Sequence, residues 1–194
     1  LFRSGVRIFS LYNGKDGTPN IKVLKETDVL VVDIQDVGLR FYTYYISMLQ
    51  LMNACAKTKT TMMILDRPNP NGCYVDGPVL DMKHKSGVGA LPIPVVHGLT
   101  LAEMAGMING EGWLEGGEPC QLEIIACRNY KHSTRYKLPI APSPNLPNMQ
   151  AIYLYPSICL FEGTDVSLGR GTGLPFQQYG HPQMTRSEER RVGK

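Results

Sequence analysis

The sequence has 194 residues, 43% of them hydrophobic, and a formal charge of +3, which allows a sizeable core in one large domain or one domain and part of another. Setting aside the four basic and two acidic residues of 186–194 leaves 16 basic against 15 acidic, a near-neutral body with no basic run to grip nucleic acid. No stretch approaches the ~18 apolar residues of a membrane-spanning helix, and the five cysteines form no Cys-x-x-Cys pair, so neither a zinc site nor a redox motif is indicated.

In chain order, Val6-Arg7-Ile8-Phe9-Ser10-Leu11-Tyr12 reads as a short strand, and residues 13–20 as a turn-rich connection. The first strong strand is expected over Asp28–Gln35, with Val29–Asp33 apolar enough to be buried on both faces of a parallel sheet. After Gly38 the spacing predicts a helix over Arg40–Thr58. Its apolar residues Phe41, Tyr44, Tyr45, Met48, Leu51, Met52 and Cys55 recur at three- and four-residue steps, the stripe that packs on a sheet. Thr61–Asp66 is a second continuous apolar strand, so strand, helix and strand make a right-handed βαβ unit. The loop that follows, Arg67–Gly72, holds two prolines and an Asn-Gly that forbid regular structure.

Further along, Ile93–Val96 is the expected strand of a Gly/Pro-rich stretch. Thr100-Leu101-Ala102-Glu103 spells a capping box that opens a helix to about Asn109. Leu122–Ala126 is a further strand. Beyond Tyr130, five prolines between 139 and 156 and no long helical period predict a second domain from residue 138. Residues 1–137 and 138–185 are thus read as two parts. Residues 186–194, Arg-Ser-Glu-Glu-Arg-Arg-Val-Gly-Lys, match the translation of a common short-read sequencing adapter. They are set apart as non-native, and the chain is expected to be a fragment.

In open α/β sheets ligands sit beyond the carboxyl ends of the strands. Asp33, Gln35, Asp36 and Arg40 fall there after the first strand, and Arg67 after the second. Two carboxylates so placed suit acid/base chemistry or a divalent metal; alternatively Asp36 fixes its own loop or caps the next helix. Arg67 is a fork-shaped donor for a carboxylate, or a turn residue paired to Asp66 or Asp36. His97, ahead of a glycine at a helix entrance, is a hydrogen-bonding candidate. Glu162 follows the apolar run Ile158–Phe161 as a carboxylate at a strand end, or else bonds locally to Thr164 or Ser167. Gly169-Arg170-Gly171-Thr172-Gly173 lacks the Gly-Lys-Ser/Thr of a phosphate loop.

Five segments then occur in order: Asp33-Ile-Gln-Asp-Val-Gly-x-Arg-Phe-Tyr-Thr-Tyr44, Asp66-Arg-Pro-Asn-Pro70, His97-Gly-Leu-Thr-x-x-Glu103, Pro142-Ser-Pro-Asn-Leu-Pro147, and Phe161-Glu-Gly-Thr164 with Gly169-Arg-Gly-Thr172 and Pro175-Phe176. Together they resemble the exo-β-N-acetylmuramidases of the NamZ type, glycoside hydrolases long classed as a domain of unknown function, DUF1343. The resemblance covers nearly all of residues 5–183. It implies an α/β fold: a Rossmann-like parallel-sheet domain, incomplete at its N-terminus, followed by the start of a smaller α+β domain, with the active site between them.

It also implies removal of β-1,4-linked N-acetylmuramic acid (MurNAc) from non-reducing ends of peptidoglycan fragments such as MurNAc-GlcNAc, with no cofactor and no metal. A secreted or periplasmic location goes with that substrate. Glu162, Asp36 and His97 are the catalytic candidates carried over; Asp33, Gln35, Arg40, Tyr42, Arg67, Asn69, Asn145 and Arg170 are the substrate-binding ones. Arg67 or Arg170 would hold the lactyl carboxylate of MurNAc, and Tyr42 would pack on a sugar face, with Tyr44 given rather to the helix core. The family's Glu-His-Gly motif, whose glutamate is the leading acid candidate, is expected upstream of Leu1, so the 194 residues alone are expected to be inactive. Two other readings stand beside this one: a non-catalytic carbohydrate-binding module, and a metal-dependent phosphoesterase using Asp33 and Asp36.

Overall fold

The computed structural model describes residues 5–11 and 19–184. Contacts divide the chain into two compact units, residues 1–135 and 136–194. The expected turn-rich connection lies mostly outside the described residues, as does the adapter-like tail.

The first unit is built on a parallel sheet of three strands in the order β1-β2-β3: Val29–Val32, Thr61–Leu65 and Leu122–Ile125. Val32 pairs with Ile64, and Ile64 with Ile124, so Leu30, Val32, Met62, Ile64 and Leu122 share one face. Helices α2 (Tyr44–Thr58) and α3 (Leu101–Gly110) cover that face, and their buried residues join the strands in one core. The short helix α1 (Ile21–Lys25) packs on α2. Along α2 the buried positions Tyr45, Met48, Leu51, Met52 and Cys55 fall on the predicted stripe. The capping box of α3 is complete: Thr100 Oγ1 accepts from Glu103 N, and Glu103 Oε2 from Thr100 N.

Several expectations are corrected. β1 is buried on one face only, with Val29 and Val31 39% and 51% exposed, because among the described residues both long helices lie on the other side. An unbroken apolar run cannot tell two covered faces from one. Helix α2 begins at Tyr44 rather than Arg40, since Leu39 pairs with Val96 and Arg40 N donates to Val95 O at 2.9 Å. Those backbone groups are committed before the helix starts. Ile93–Val96 forms isolated bridges rather than a strand; Pro92 and Pro94 remove the donors a ladder needs. Residues 5–10 take no regular structure.

The second unit contains helix α4, Met149–Ile158, with Asn148 Oδ1 accepting from Ala151 N as its N-cap. This helix was not expected. Its proline, Pro156, lies near the C-terminal end, and the chain continues into a 3-10 turn, Cys159–Gly163. Glu162 therefore stands on that turn and not at a strand end. Leu146, Ala151, Ile152, Tyr155, Leu168 and Phe176 are buried in this unit, with the Tyr155 and Phe176 rings edge to face at 4.7 Å. Its described residues form only isolated bridges, Ser143 with Leu146 and Ser167 with Gly180. No helix of the described residues is long and apolar enough to cross a membrane.

Candidate active site

All three strands are parallel, so the segments after them gather at one edge. There they are tied together by hydrogen bonds. Gln35 Nε2, from the loop after β1, donates to Pro68 O at 2.9 Å in the loop after β2. Asn71 Nδ2 donates back to Val37 O at 2.8 Å, and Asn69 Nδ2 to Leu99 O at 2.9 Å ahead of α3. Asp66 Oδ1 accepts from Ala102 N in the first turn of α3. From the segment after β3, the Tyr130 hydroxyl donates to Asn69 O and accepts from Asn69 N. Asn69 and Asn71, only 2% and 1% exposed, thus serve the architecture of the edge. Gln35 does so too. Arg40 is a strap, its Nη1 donating to Pro78 O and Ile93 O at 2.8 and 2.7 Å.

Two acids in the loop after β1 are each paired with a basic side chain from a neighbouring segment. The Arg67 guanidinium grips Asp33 with Nε on Oδ1 and Nη2 on Oδ2, both side chains nearly half exposed. That grip holds the Asp33 carboxyl below its usual range. Arg67 thus pairs with the acid at the end of the neighbouring strand.

Asp36 and His97 form the second pair, and both are sealed in, at 5% exposure each. Asp36 Oδ1 accepts from Gly38 N at 2.6 Å, and His97 Nδ1 accepts from Leu99 N at 3.2 Å. An accepting Nδ1 places the ring proton of the neutral imidazole on Nε2, which lies 3.9 Å from Asp36 Oδ1. Burial raises the Asp36 carboxyl to about 7 and lowers His97 to about 4, because each charged form loses its hydration. Among the described residues, Asp36 Oδ2 and His97 Nε2 have no hydrogen-bond partner. In this geometry Asp36 fixes its own loop, and neither side chain reaches solvent.

Tyr42 is likewise buried, with its ring against that of Tyr44 at 4.6 Å, while Tyr44 is the more exposed of the two. Tyr42, which precedes the helix, is thus the more buried ring, where the core was expected to take Tyr44.

Sequence reasoning passed over His132. Its Nδ1 lies 3.1 Å from Gly72 O and its Nε2 2.9 Å from Glu103 Oε1. Both ring nitrogens face acceptors, so the imidazolium is favoured and its pKa raised, chiefly by Glu103. The signal that finds it is the rule already applied to Asp33: His132 lies in the segment following a parallel strand's carboxyl end.

In the second unit Glu162 is held on both oxygens. Arg170 donates to Oε1 through Nε and Nη2, and Cys159 Sγ donates to Oε2 at 2.8 Å. Arg170 also lies over the Phe176 ring, 4.8 Å from its centroid. Burial and the Glu162 carboxylate push the Cys159 thiol up to about 12. Glu162 bonds to neither Thr164 nor Ser167, which the sequence had offered as local partners. Asn145 stands half-buried in the turn closed by Leu146 N on Ser143 O. Among the described residues, no group of three or more His, Cys, Asp or Glu is arranged to hold a metal ion.

Two family models match the chain: exo-beta-N-acetylmuramidase NamZ, N-terminal, over residues 2–150, and the C-terminal model of the same family over residues 153–192. The chain is 39% identical over 191 residues to the peptidoglycan beta-N-acetylmuramidase NamZ of Bacillus subtilis (strain 168), covering 96% of this chain and 45% of the relative. A crystal structure of a DUF1343 family protein from Bacteroides fragilis NCTC 9343 superposes with a TM-score of 0.85 at 66% identity, over 89% of this chain and 51% of the other. A second DUF1343 protein of that organism gives a TM-score of 0.86 at 34% identity, over 96% and 49%. The chain spans about half the length of the relatives it matches.

Proposed function

This chain belongs to the exo-β-N-acetylmuramidase NamZ family, and from that premise we propose that the protein is a glycoside hydrolase. On this reading it releases β-1,4-linked MurNAc from the non-reducing ends of peptidoglycan fragments such as MurNAc-GlcNAc. The observation that carries the proposal is the 39% identity to a peptidoglycan beta-N-acetylmuramidase across 96% of the chain. The knitted carboxyl edge supports it, since it fixes the segments after three strands where an α/β fold binds its ligand.

Glycoside hydrolysis uses an acid on the leaving oxygen and a second carboxylate for the anomeric side. We assign the acid to the Glu-His-Gly segment that the family resemblance places before Leu1. Glu162, oriented by Arg170 and Cys159, is the proposed second carboxylate. Arg67 is proposed to meet the lactyl carboxylate, exchanging Asp33 for substrate as a bidentate partner. Asp36 and His97 are assigned to positioning: they hold the edge loops rather than touch the sugar. Action on peptidoglycan goes with a secreted or periplasmic location.

The test is chromophore release from an aryl β-N-acetylmuraminide and liberation of MurNAc and GlcNAc from the disaccharide. It is run on the protein at its relatives' length and on the 194-residue chain, with activity expected from the former alone. Saturable disaccharide binding by the longer protein without any cleavage product would instead make it a binding module.

A further inference from the structure

A groove of about 490 Å³ lies beside α2, lined by Ile46, Leu49 and Gln50 of that helix together with Lys85, Leu91 and Trp113. It is separate from the carboxyl edge. None of the residues assigned to the edge lines it, and Trp113 lies on the segment that leads from α3 to the amino end of β3.

The groove is built rather than incidental. Trp113 N donates to Ile108 O, and Asn53 Oδ1, on α2, accepts from Glu115 N at 2.8 Å, so the 113–115 turn is fixed against the helix. On the opposite wall, Ser86 and Gly89 exchange backbone hydrogen bonds in a tight hairpin that carries Lys85 to the rim. A volume of this size, apolar walls and a few convergent polar groups are the general features of a small-molecule site.

The charges select the ligand. Glu115, the acid on the rim, is paired with Lys57 at 2.8 Å, and Lys85 is the cation among the groove's lining residues. With Glu115 matched by Lys57, the Lys85 ammonium is the charge that the lining offers beside an indole and an aliphatic floor.

We propose that this groove is a second ligand site, taking a small amphiphilic carboxylate whose apolar body lies against Trp113 and whose carboxylate meets Lys85. Within the proposed function that chemistry has two sources: the lactyl carboxylate of a MurNAc residue, or the terminal carboxylate of a short peptide. Only this choice of probes rests on the proposed activity.

Trp113 is the single tryptophan of the chain, so its emission reports the groove directly. The 194-residue chain is titrated with MurNAc-GlcNAc, with an alanyl-alanine dipeptide, with the C-terminal amide of that dipeptide, and with N,N′-diacetylchitobiose, which has no carboxylate. Saturable change is expected with the first or the second, identifying the source, and not with the last two. Lys85→Gln should weaken binding about tenfold, the loss of one charge-assisted hydrogen bond. Lys83→Gln, whose lysine pairs with Asp81 at 2.7 Å, should leave it unchanged.

Equal response to the uncharged probes, indifference to Lys85→Gln, or no response to any probe would overturn the proposal. So would ligand-free emission typical of a fully exposed indole, since the groove would then not be formed. Disaccharide cleavage is followed in parallel on the longer protein. Loss of cleavage with an intact Trp113 response counts against the muramidase reading alone, and the converse against the groove alone.

Discussion

Asp33 and Asp36 stand three residues apart on one loop, each beside a basic partner, yet the two pairs are physical opposites. Asp33 and Arg67 meet in water, where the ion pair is worth little to the fold and its ends can change partners. Asp36 and His97 meet where water is excluded. There an ionised group without full compensation costs several kcal/mol, and the pair is bound into the backbone on both sides. An exposed pair can be offered to a substrate carboxylate; a buried one holds the loop that offers it.

The largest effect expected from breaking the buried side is at Gly38, which has φ +80° and whose added Cβ would lie 2.4 Å from the Asn69 side chain. Asn69 cannot withdraw, since it is bonded to Leu99 O and Asn71 N. Gly38→Ala should therefore cost at least about 3 kcal/mol in urea unfolding, from left-handed strain and overpacking together.

Next in size is a pH effect. In the unfolded chain Asp36 ionises near 3.8 and His97 keeps its proton to about 6.5, whereas in the fold the values are about 7 and about 4. Between those limits the pair carries one proton in either state, on His97 when unfolded and on Asp36 when folded. Its two contributions to the pH slope cancel. Asp36→Asn removes one of them, and stability should then fall as pH drops from 6.5 towards 4. His97→Gln leaves the other, and stability should fall as pH rises from 4 towards 7. The change should amount to about 3 kcal/mol for Asp36→Asn and about 4 kcal/mol for His97→Gln across their windows, read from urea midpoints. Parallel slopes in the two variants would mean that the pair is not linked as described.

Glu103→Ala should cost about 1–2 kcal/mol, because it opens the capping box of α3 and frees His132. Thermal unfolding at neutral pH measures it, and the His132 proton, followed by NMR, should be lost at lower pH than in the parent chain. The smallest stability effect belongs to the exposed pair: Arg67→Ala should change unfolding free energy by at most about 1 kcal/mol. In the longer protein it should nevertheless raise KM for the disaccharide about tenfold, as loss of a charge-assisted contact does. A large stability loss at Arg67 would erase the distinction between the two pairs.

Local chemistry was legible wherever it acts within a few residues. The α2 stripe, the α3 capping box, the strands at 61 and 122, and the broken loop at 67–72 all follow from period, capping and proline placement. So does the edge on which the first unit's candidate residues gather, because strand direction alone decides it. Less legible were α4, whose ten residues are masked by surrounding prolines, and Ile93–Val96, where prolines cost the segment its ladder.

What the sequence by itself determined, then, is an α/β chain of the NamZ family whose acids and donors follow parallel strands. Only the tertiary structure decided which of those groups face water. Asp33 and Asp36 are indistinguishable as letters at a strand end; three residues of chain turn one outward to Arg67 and fold the other under Gly38 and His97. Burial is a property of everything packed around a side chain, contributed here by residues more than sixty positions away. That is why the stretch Asp33–Arg40 could be located from sequence, while the division of labour within it could not.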